Sequence, residues 1–357
     1  MLWVGSTGTR VPGDGRLDAP VLVLAEAPGD RESESGHPLV GYSGQLLWDE
    51  LRKRTGIERR DCRVENVVEV QPPHNEFASV QPGLFERMWQ PSTYERVAAC
   101  TDVKVVVALG NVALNTLRRA PLPLTKKGTW SCTKVAGKRQ VKWRDKIGAW
   151  RGSVCTYKVD DARRVWMIPT YHPAYVLRNA GAYNCWVGDF DKVALAMVGE
   201  LERYPQSRHI VAPTADDLYE WDRRVMAPGN DAVLTFDIET SPTGDLECIG
   251  FCLDPFESIT IGLRSYHWAL TGGVTRSDAW SYVRRWLASP VAKETHFGVF
   301  DCYVLRQRYG ITIRNWQWDT HMLHHLLDPR DRHSLAYCAS RDLRVQYWKD
   351  ERKEGGE

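Results

Sequence analysis

The chain has 357 residues, 43% apolar and 26% charged, with a net charge of +2. That composition excludes a disordered or fibrous chain and supplies enough apolar residues for two ordinary domains. No apolar run approaches about 18 residues, the N-terminus lacks a basic-then-apolar leader, and the nine cysteines are scattered without a Cys-x-x-Cys pair, so a soluble cytoplasmic protein with mostly buried thiols is expected.

Residues 1–20 are rich in Gly and Pro and lead into an apolar run expected to be a buried strand over 21–25. Glu26 stands where that strand ends, and Pro28 and Gly29 break it. The sequence then predicts a helix over about 44–54, a strand over about 64–69, a long loop, a strand over 104–109 and a helix over about 111–118. A strand over 165–169, a loop holding His172 and a helix over about 187–203 follow. Alternation of this kind points to a mostly parallel sheet between two helical layers, whose ligands bind outside the carboxyl ends of the strands. Tyr204-Pro205-Gln206-Ser207 looks like a linker. Beyond it the pattern changes to a helix opening at Thr214–Leu218, strands over 232–238, 249–253 and 258–263, a helix over 277–287, a strand over 294–298 and a helix through 304–309. The domains are therefore set at 1–205 and 206–357.

A lone glycine-rich turn after one strand is more readily a plain βα connection than a site. Between Lys126 and Arg151 lie nine cations opposed only by Asp145, with Trp130, Trp143 and Trp150 interleaved. Phosphate contact with base stacking suits such an insertion (about 122–151), and so does a solvated surface.

Several ordered motifs sharpen the picture. Glu26-Ala27-Pro28-Gly29 with Gly36-His37-Pro38-Leu39-Val40-Gly41-Tyr42-Ser43-Gly44-Gln45-Leu46-Leu47 resembles the first motif of the family 4 uracil-DNA glycosylases. Asn66-Val67-Val68 through Asn75, Val105–Gly110, Trp150-Arg151-Gly152 and Thr170-Tyr171-His172-Pro173 through Arg178 follow in that family's order. The resemblance covers roughly 8–203 and implies a three-layer α/β/α fold that removes uracil from DNA. It casts Glu26 as the residue that positions water, Asn66 as reader of the uracil edge, and His172 as donor to the leaving base. Ala27, Pro28, Gly29 and Gly41 would approach base and phosphate, and Arg178 would pair a phosphate. Leu39 replaces the aromatic that stacks on the flipped base, and Tyr42 is the nearby substitute. The family's iron–sulfur cysteines have no counterpart before Val21, and Val70 and Gln90 stand at the other two places, so no [4Fe–4S] cluster is expected.

In the second half, Asp237 and Glu239 lie at i and i+2 of one expected strand and so share a face, which a cation between them would stabilise. Leu234–Thr240, His296–Asp301, Trp318–Met322 and His333–Tyr337 resemble the DEDD 3′–5′ exonucleases of family A DNA polymerases, over roughly 210–350. The resemblance implies an incomplete ribonuclease H-like α/β domain in which Asp237, Glu239 and Asp301 would hold Mg²⁺ or Mn²⁺. The final Tyr-x-x-x-Asp motif is absent, since neither Asp342 nor Asp350 has a Tyr four residues earlier. A longer polymerase, a partner chain completing the domain, or a fold kept only to grip DNA are the readings this leaves. DNA is the expected partner, a polymerase a further one, and no membrane is involved. The rival to an active glycosylase is a non-catalytic DNA-binding module with degenerate sites.

Overall fold

The computed structural model describes residues 9–135, 137–202, 207–227, 229, 231–264 and 274–347. The expected linker residues 204–206, Asp350 and the charged tail lie outside them. Two compact units emerge, one of Met1–Arg203 with Ala336–Glu357 and the other of Tyr204–Leu335.

The first unit holds β1 (Val21–Ala25), β2 (Cys62–Asn66), β3 (Val105–Leu109), β4 (Cys132–Val135), β5 (Lys138–Val141), β6 (Cys155–Lys158) and β7 (Arg164–Thr170). Its helices are α1 (Asp30–Ser35), α2 (Tyr42–Thr55), α3 (Pro82–Leu84), α4 (Gln90–Ala98), α5 (Gly110–Leu117), α6 (Ile147–Trp150), α7 (Pro173–Arg178) and α8 (Tyr183–Val198). The main sheet runs β2-β1-β3-β7-β6, parallel except for β6, and β4 pairs only with β5. β1 and β3 are buried along their whole length, as a parallel sheet covered on both faces requires. Leu22, Leu24, Val106 and Ala108 point into one core, and Val21, Val23, Val105 and Val107 into the other. Sequence reasoning missed the helices within the segment expected as one long loop, and the β4–β5 pair. It also set the second strand at about 64–69 where β2 spans Cys62–Asn66, although Val67 N and Val68 N still donate to Ala25 O and Glu26 O.

The tryptophans of the basic insertion are core residues rather than stacking platforms. Trp130 and Trp143 are each 7% exposed and Trp150 2%. Trp130 and Trp143 meet at a ring distance of 5.5 Å and pack with Phe77 and Phe85. Periodicity could not reveal this, since the partners Phe77 and Phe85 come from helical turns far earlier in the chain.

The second unit contains β8 (Arg208–Val211), α9 (Ala215–Val225), β9 (Val233–Thr240), β10 (Leu246–Asp254), β11 (Glu257–Gly262), α10 (Arg276–Leu287), β12 (Ala292–Thr295), α11 (Val299–Tyr309), β13 (Trp316–Asp319) and α12 (Thr320–Leu327). The sheet order is β13-β12-β9-β10-β11-β8. β9, β10 and β11 form an antiparallel meander, and β12 and β13 add in parallel beside β9, a ribonuclease H-like arrangement. Leu234, Phe236 and Ile238 of β9 enter the core, so the alternate residues Asp237 and Glu239 face away from it.

The last helix, α13 (Leu335–Asp342), brings the chain back to the first unit. The boundary set at 206–357 therefore differs from the compact units, in which residues from 336 onward group with the glycosylase-like half. Buried Arg151 bonds Asp189 and donates to Ser340 Oγ (3.1 Å), while buried Lys192 donates to the carbonyls of Gly152, Ser340 and Leu343. Val154 N donates to Val345 O (3.1 Å), and Tyr347 lies against Trp150 with ring centroids 5.5 Å apart. Lys192→Met leaves the buried carbonyls of Gly152 and Ser340 without their donor, each loss costing about 1–3 kcal/mol. Thermal denaturation is expected to show the midpoint lowered by several degrees.

Candidate active site

Four strand ends of the first unit converge on one edge of its sheet. Glu26 follows β1, Asn66 ends β2, Gly110 follows β3 and His172 follows β7. Register places Ala25 opposite Asn66, so Glu26 emerges beside it. A Cβ on Gly110, whose φ is +84°, would lie 3.4 Å from the His172 Cβ. The expected catalytic residues thus sit at the carboxyl ends of neighbouring parallel strands, where open α/β sheets bind ligands.

The Glu26 residue keeps some exposure, yet its carboxyl is enclosed, and burial pushes it up to about 7. No hydrogen bond to that carboxyl offsets the desolvation among the described residues, which leaves a base poised near neutrality. His172 caps α7, and its Nδ1 accepts from Ala174 N–H at 3.2 Å. The proton of the neutral ring therefore resides on Nε2, which is free to donate. Burial, reinforced by the Arg178 charge and opposed by Glu32, pushes His172 down to about 4. The ring is neutral at pH 7.

Asn66 is 2% exposed, and its Nδ2 is buried without a hydrogen-bond partner among the described residues. A buried amide donor left unpaired costs about 1–3 kcal/mol, a cost that a bound acceptor would relieve. Its backbone is held from behind by Arg96, which donates to Asn66 O (2.6 Å) and pairs with Glu65 (2.9 Å).

Gly29 and Gly41 were expected to present amides to base and phosphate. Instead Glu32 takes them. Its carboxylate accepts from Gly29 N (3.2 Å), Val40 N (3.0 Å) and Gly41 N (2.7 Å), tying the two glycine loops into one wall. Sequence reasoning missed Glu32, although a carboxylate in the first turn after a glycine break is a recognisable capping signal. Gly44 has a steric reason to be glycine, since a Cβ there would stand 1.9 Å from Leu39 O. Glu32→Gln replaces one acceptor oxygen with a donor facing Gly29 N–H. We expect thermal denaturation to show a lowered melting point, since charge-assisted bonds to backbone amides contribute about 1.5–3 kcal/mol.

Leu39, expected against the base, is 5% exposed, packed in the core, and holds φ +52°. It braces the loop from within, because its carbonyl accepts from Trp48 Nε1 (3.0 Å). Tyr42 is 67% exposed at the start of α2, with the Arg31 guanidinium 4.0 Å from its ring centroid. Ala27 and Pro28 pass between Glu26 and the Glu32 clamp, and Pro28 is buried. Arg178 is exposed in the last turn of α7, with no ion pair among the described residues.

The cluster positions do not fit iron–sulfur ligation. Val70 is buried among apolar side chains and Gln90 begins α4. Cys62 and Cys100 instead donate to the carbonyls of Glu58 and Arg96, and burial pushes the Cys62 thiol up to about 12, far from a ligating thiolate.

In the second unit, Asp301 of α11 is 5% exposed and reaches β9, where its Oδ1 accepts from Ile238 N (3.0 Å). Burial pushes it up to about 6, against the Ile238 bond and with Asp237 and Asp319 adding to the rise. Asp319 is spent on backbone, accepting from Phe297, Gly298, His321 and Met322. Phe297, at the place of the exonuclease Asn, is 55% exposed with φ +63°. Asp237, Asp301 and Asp319 share one neighbourhood, yet no three acidic, His or Cys side chains among the described residues converge as ready metal ligands. The residues as placed do not fit the Mg²⁺ or Mn²⁺ pair. Asp342 groups with the first unit.

A profile of the Uracil DNA glycosylase superfamily matches residues 12–191, just over half of the chain. Similar curated proteins include the type-4 uracil-DNA glycosylase of Sulfurisphaera tokodaii, 29% identical over 64% of this chain and 90% of that protein. The type-4 uracil-DNA glycosylase of Thermotoga maritima is 32% identical over 47% of this chain and 72% of that protein. Among solved structures, Escherichia coli RNase D, an exoribonuclease involved in structured RNA processing, is similar at 19% identity and TM-score 0.30, covering 42% of this chain and 36% of that one. The EXD2 exonuclease domain soaked in Mg and GMP is 16% identical with a TM-score of 0.25, covering 34% and 59%. The chain thus spans about a third of the RNase D structure. No helix among the described residues is long and apolar enough to cross a membrane.

Proposed function

The chain belongs to the Uracil DNA glycosylase superfamily, and from that premise we propose that its first unit hydrolyses the N-glycosidic bond of uracil in DNA. The observation that carries this reading is the unpartnered, buried Asn66 Nδ2 at the strand end beside Glu26. No acceptor for it stands among the described residues, and the uracil O4 edge of a flipped nucleotide would supply one. As the C1′–N1 bond breaks, its electron pair passes to the base, and His172 Nε2–H donates to the O2 that gains charge. Glu26 takes the proton of a water whose oxygen bonds C1′. Arg178 pairs a flanking phosphate, and Tyr42 offers the stacking surface that Leu39 does not. Neither iron nor a divalent cation enters these steps. Abasic-site formation on a uracil oligonucleotide in chelator tests the reading, with iron analysis of the purified protein expected to find none bound.

For the second unit we propose a DNA-holding role in which nuclease chemistry awaits a segment carrying the missing Tyr-x-x-x-Asp, supplied by further chain or by a partner such as a DNA polymerase. Asp301, raised by burial with its Oδ1 already bonded to Ile238 N–H, favours this over an active nuclease. Metal-dependent nucleotide release that disappears in Asp237→Ala would overturn it. We propose a cytoplasmic location, a reading supported by nine scattered cysteines without a Cys-x-x-Cys pair and by a DNA substrate.

A further inference from the structure

The basic insertion is built as a handle with an apolar root and a charged blade. Its root is fixed by α5, where Asn111 Oδ1 accepts from Ile147 N (2.7 Å) and Asn115 Nδ2 donates to Asp145 O (2.7 Å). The aromatic group of Trp130, Trp143, Phe77 and Phe85 completes it. Asp145, the one carboxylate in the stretch, is 3% exposed and taken by Arg118. The blade is the β4–β5 pair with its flanks. There Lys126, Lys127, Lys134, Lys138, Lys142 and Lys146 are exposed, and no ion pair joins any of them among the described residues.

Lys134 stands directly opposite Arg139 across the two strands. Like charges facing each other destabilise a strand pair, and an isolated two-stranded ribbon is marginal to begin with. The folding of the insertion does not call for this arrangement, whereas a polyanion lying over the ribbon reverses its sign. The ribbon also adjoins the glycosylase loop. Arg139 lies 3.8 Å from Glu76 and 3.4 Å from Ser79 Oγ, on the segment that leaves Asn66. In the same segment, Gln71 bonds Asp30 beside Gly29 and Asn75.

We propose that the β4–β5 ribbon is a phosphate-backbone grip for duplex DNA, acting by charge alone. It rests on DNA being the substrate of the adjoining site, and adds that the grip is indifferent to uracil. With its tryptophans inside, the ribbon has no ring to stack on a base, so it carries no base preference.

The test is duplex affinity against salt for the wild type and for the triple variant K134A/K138A/K142A, using uracil-containing and uracil-free DNA. Melting curves confirm that these surface changes leave the fold intact, and excision by the wild type is followed in the same samples. Each phosphate contact contributes a slope of about 0.9 in log K against log salt. The variant slope is expected to be shallower by about 2–3, equally for both DNAs, shrinking the affinity loss between 50 and 200 mM salt by about 30-fold. An unchanged slope, or one that changes only with uracil DNA, overturns the grip. If the wild type excises uracil while the variant keeps its slope, the grip fails and the glycosylase stands. If the slope drops but no excision occurs, the grip stands and the glycosylase fails.

Discussion

Glu26→Gln is expected to reduce uracil excision by about 100- to 10,000-fold, the range for loss of a positioned general base. The pH profile separates this from a merely structural effect. With its carboxyl pushed up to about 7 by burial, Glu26 is half protonated at neutrality. The kcat/KM of the wild type should therefore rise tenfold per pH unit below about 7 and level off above it. His172, pushed down to about 4, stays neutral throughout and adds no second limb in that range. In Glu26→Gln the residual rate should be flat. Stability gives an independent check. A carboxyl raised from 4.5 to about 7 on folding makes the native state bind more protons than the unfolded one between those values. Stability then falls as pH climbs through that window, and the Gln variant should lose that slope. A Gln variant that keeps the wild-type profile would remove Glu26 from the chemistry.

Asn66→Leu should separate activity from stability with opposite signs. The variant deletes the amide proposed to read the base edge, so excision should fall by about 10²–10³, the cost of removing one oxyanion-type donor. It also replaces a buried unpartnered donor with an apolar side chain of similar size, so the melting temperature should stay level or rise. A structural Asn would show the reverse, with the fold weakened and little specific loss of rate. His172→Ala serves as the companion, since losing the Nε2–H donor should cut the rate without touching Asn66.

The strand ends that make the site were legible because parallel strands buried on both faces write themselves as unbroken apolar runs, as Val105–Leu109 does, with polar residues only where they stop. Glu26 lies at such a stop, whereas Asn66 ends a mixed run with Arg63 and Glu65 inside it and His172 comes two residues after Thr170, so those two were legible from their motifs. The cap that Glu32 makes on Gly29 was readable from its place in the first turn, but its reach to the amides of Val40 and Gly41 was hidden, because no side-chain pattern records backbone partners. Leu39 and Tyr42 could be named from the motif but not sorted into buried brace and exposed ring, since a left-handed φ at Leu39 turns the loop. The tryptophans misled for a physical reason: interleaved charge and aromatics describe a nucleic-acid surface and a charged ribbon on an apolar root equally well. The return of the chain to the first unit after residue 335 depends on Arg151, Lys192 and Asp189, distant residues that a local reading cannot join.

The most direct measurement is incubation of the protein, in chelator and without added metal, with a uracil-containing oligonucleotide, followed by alkaline cleavage, alongside Glu26→Ala and His172→Ala. Strand scission at the uracil by the wild type, lost in both variants, is the predicted result. Tight binding of the oligonucleotide by the wild type with no scission would contradict the account, leaving the pocket as a grip on DNA.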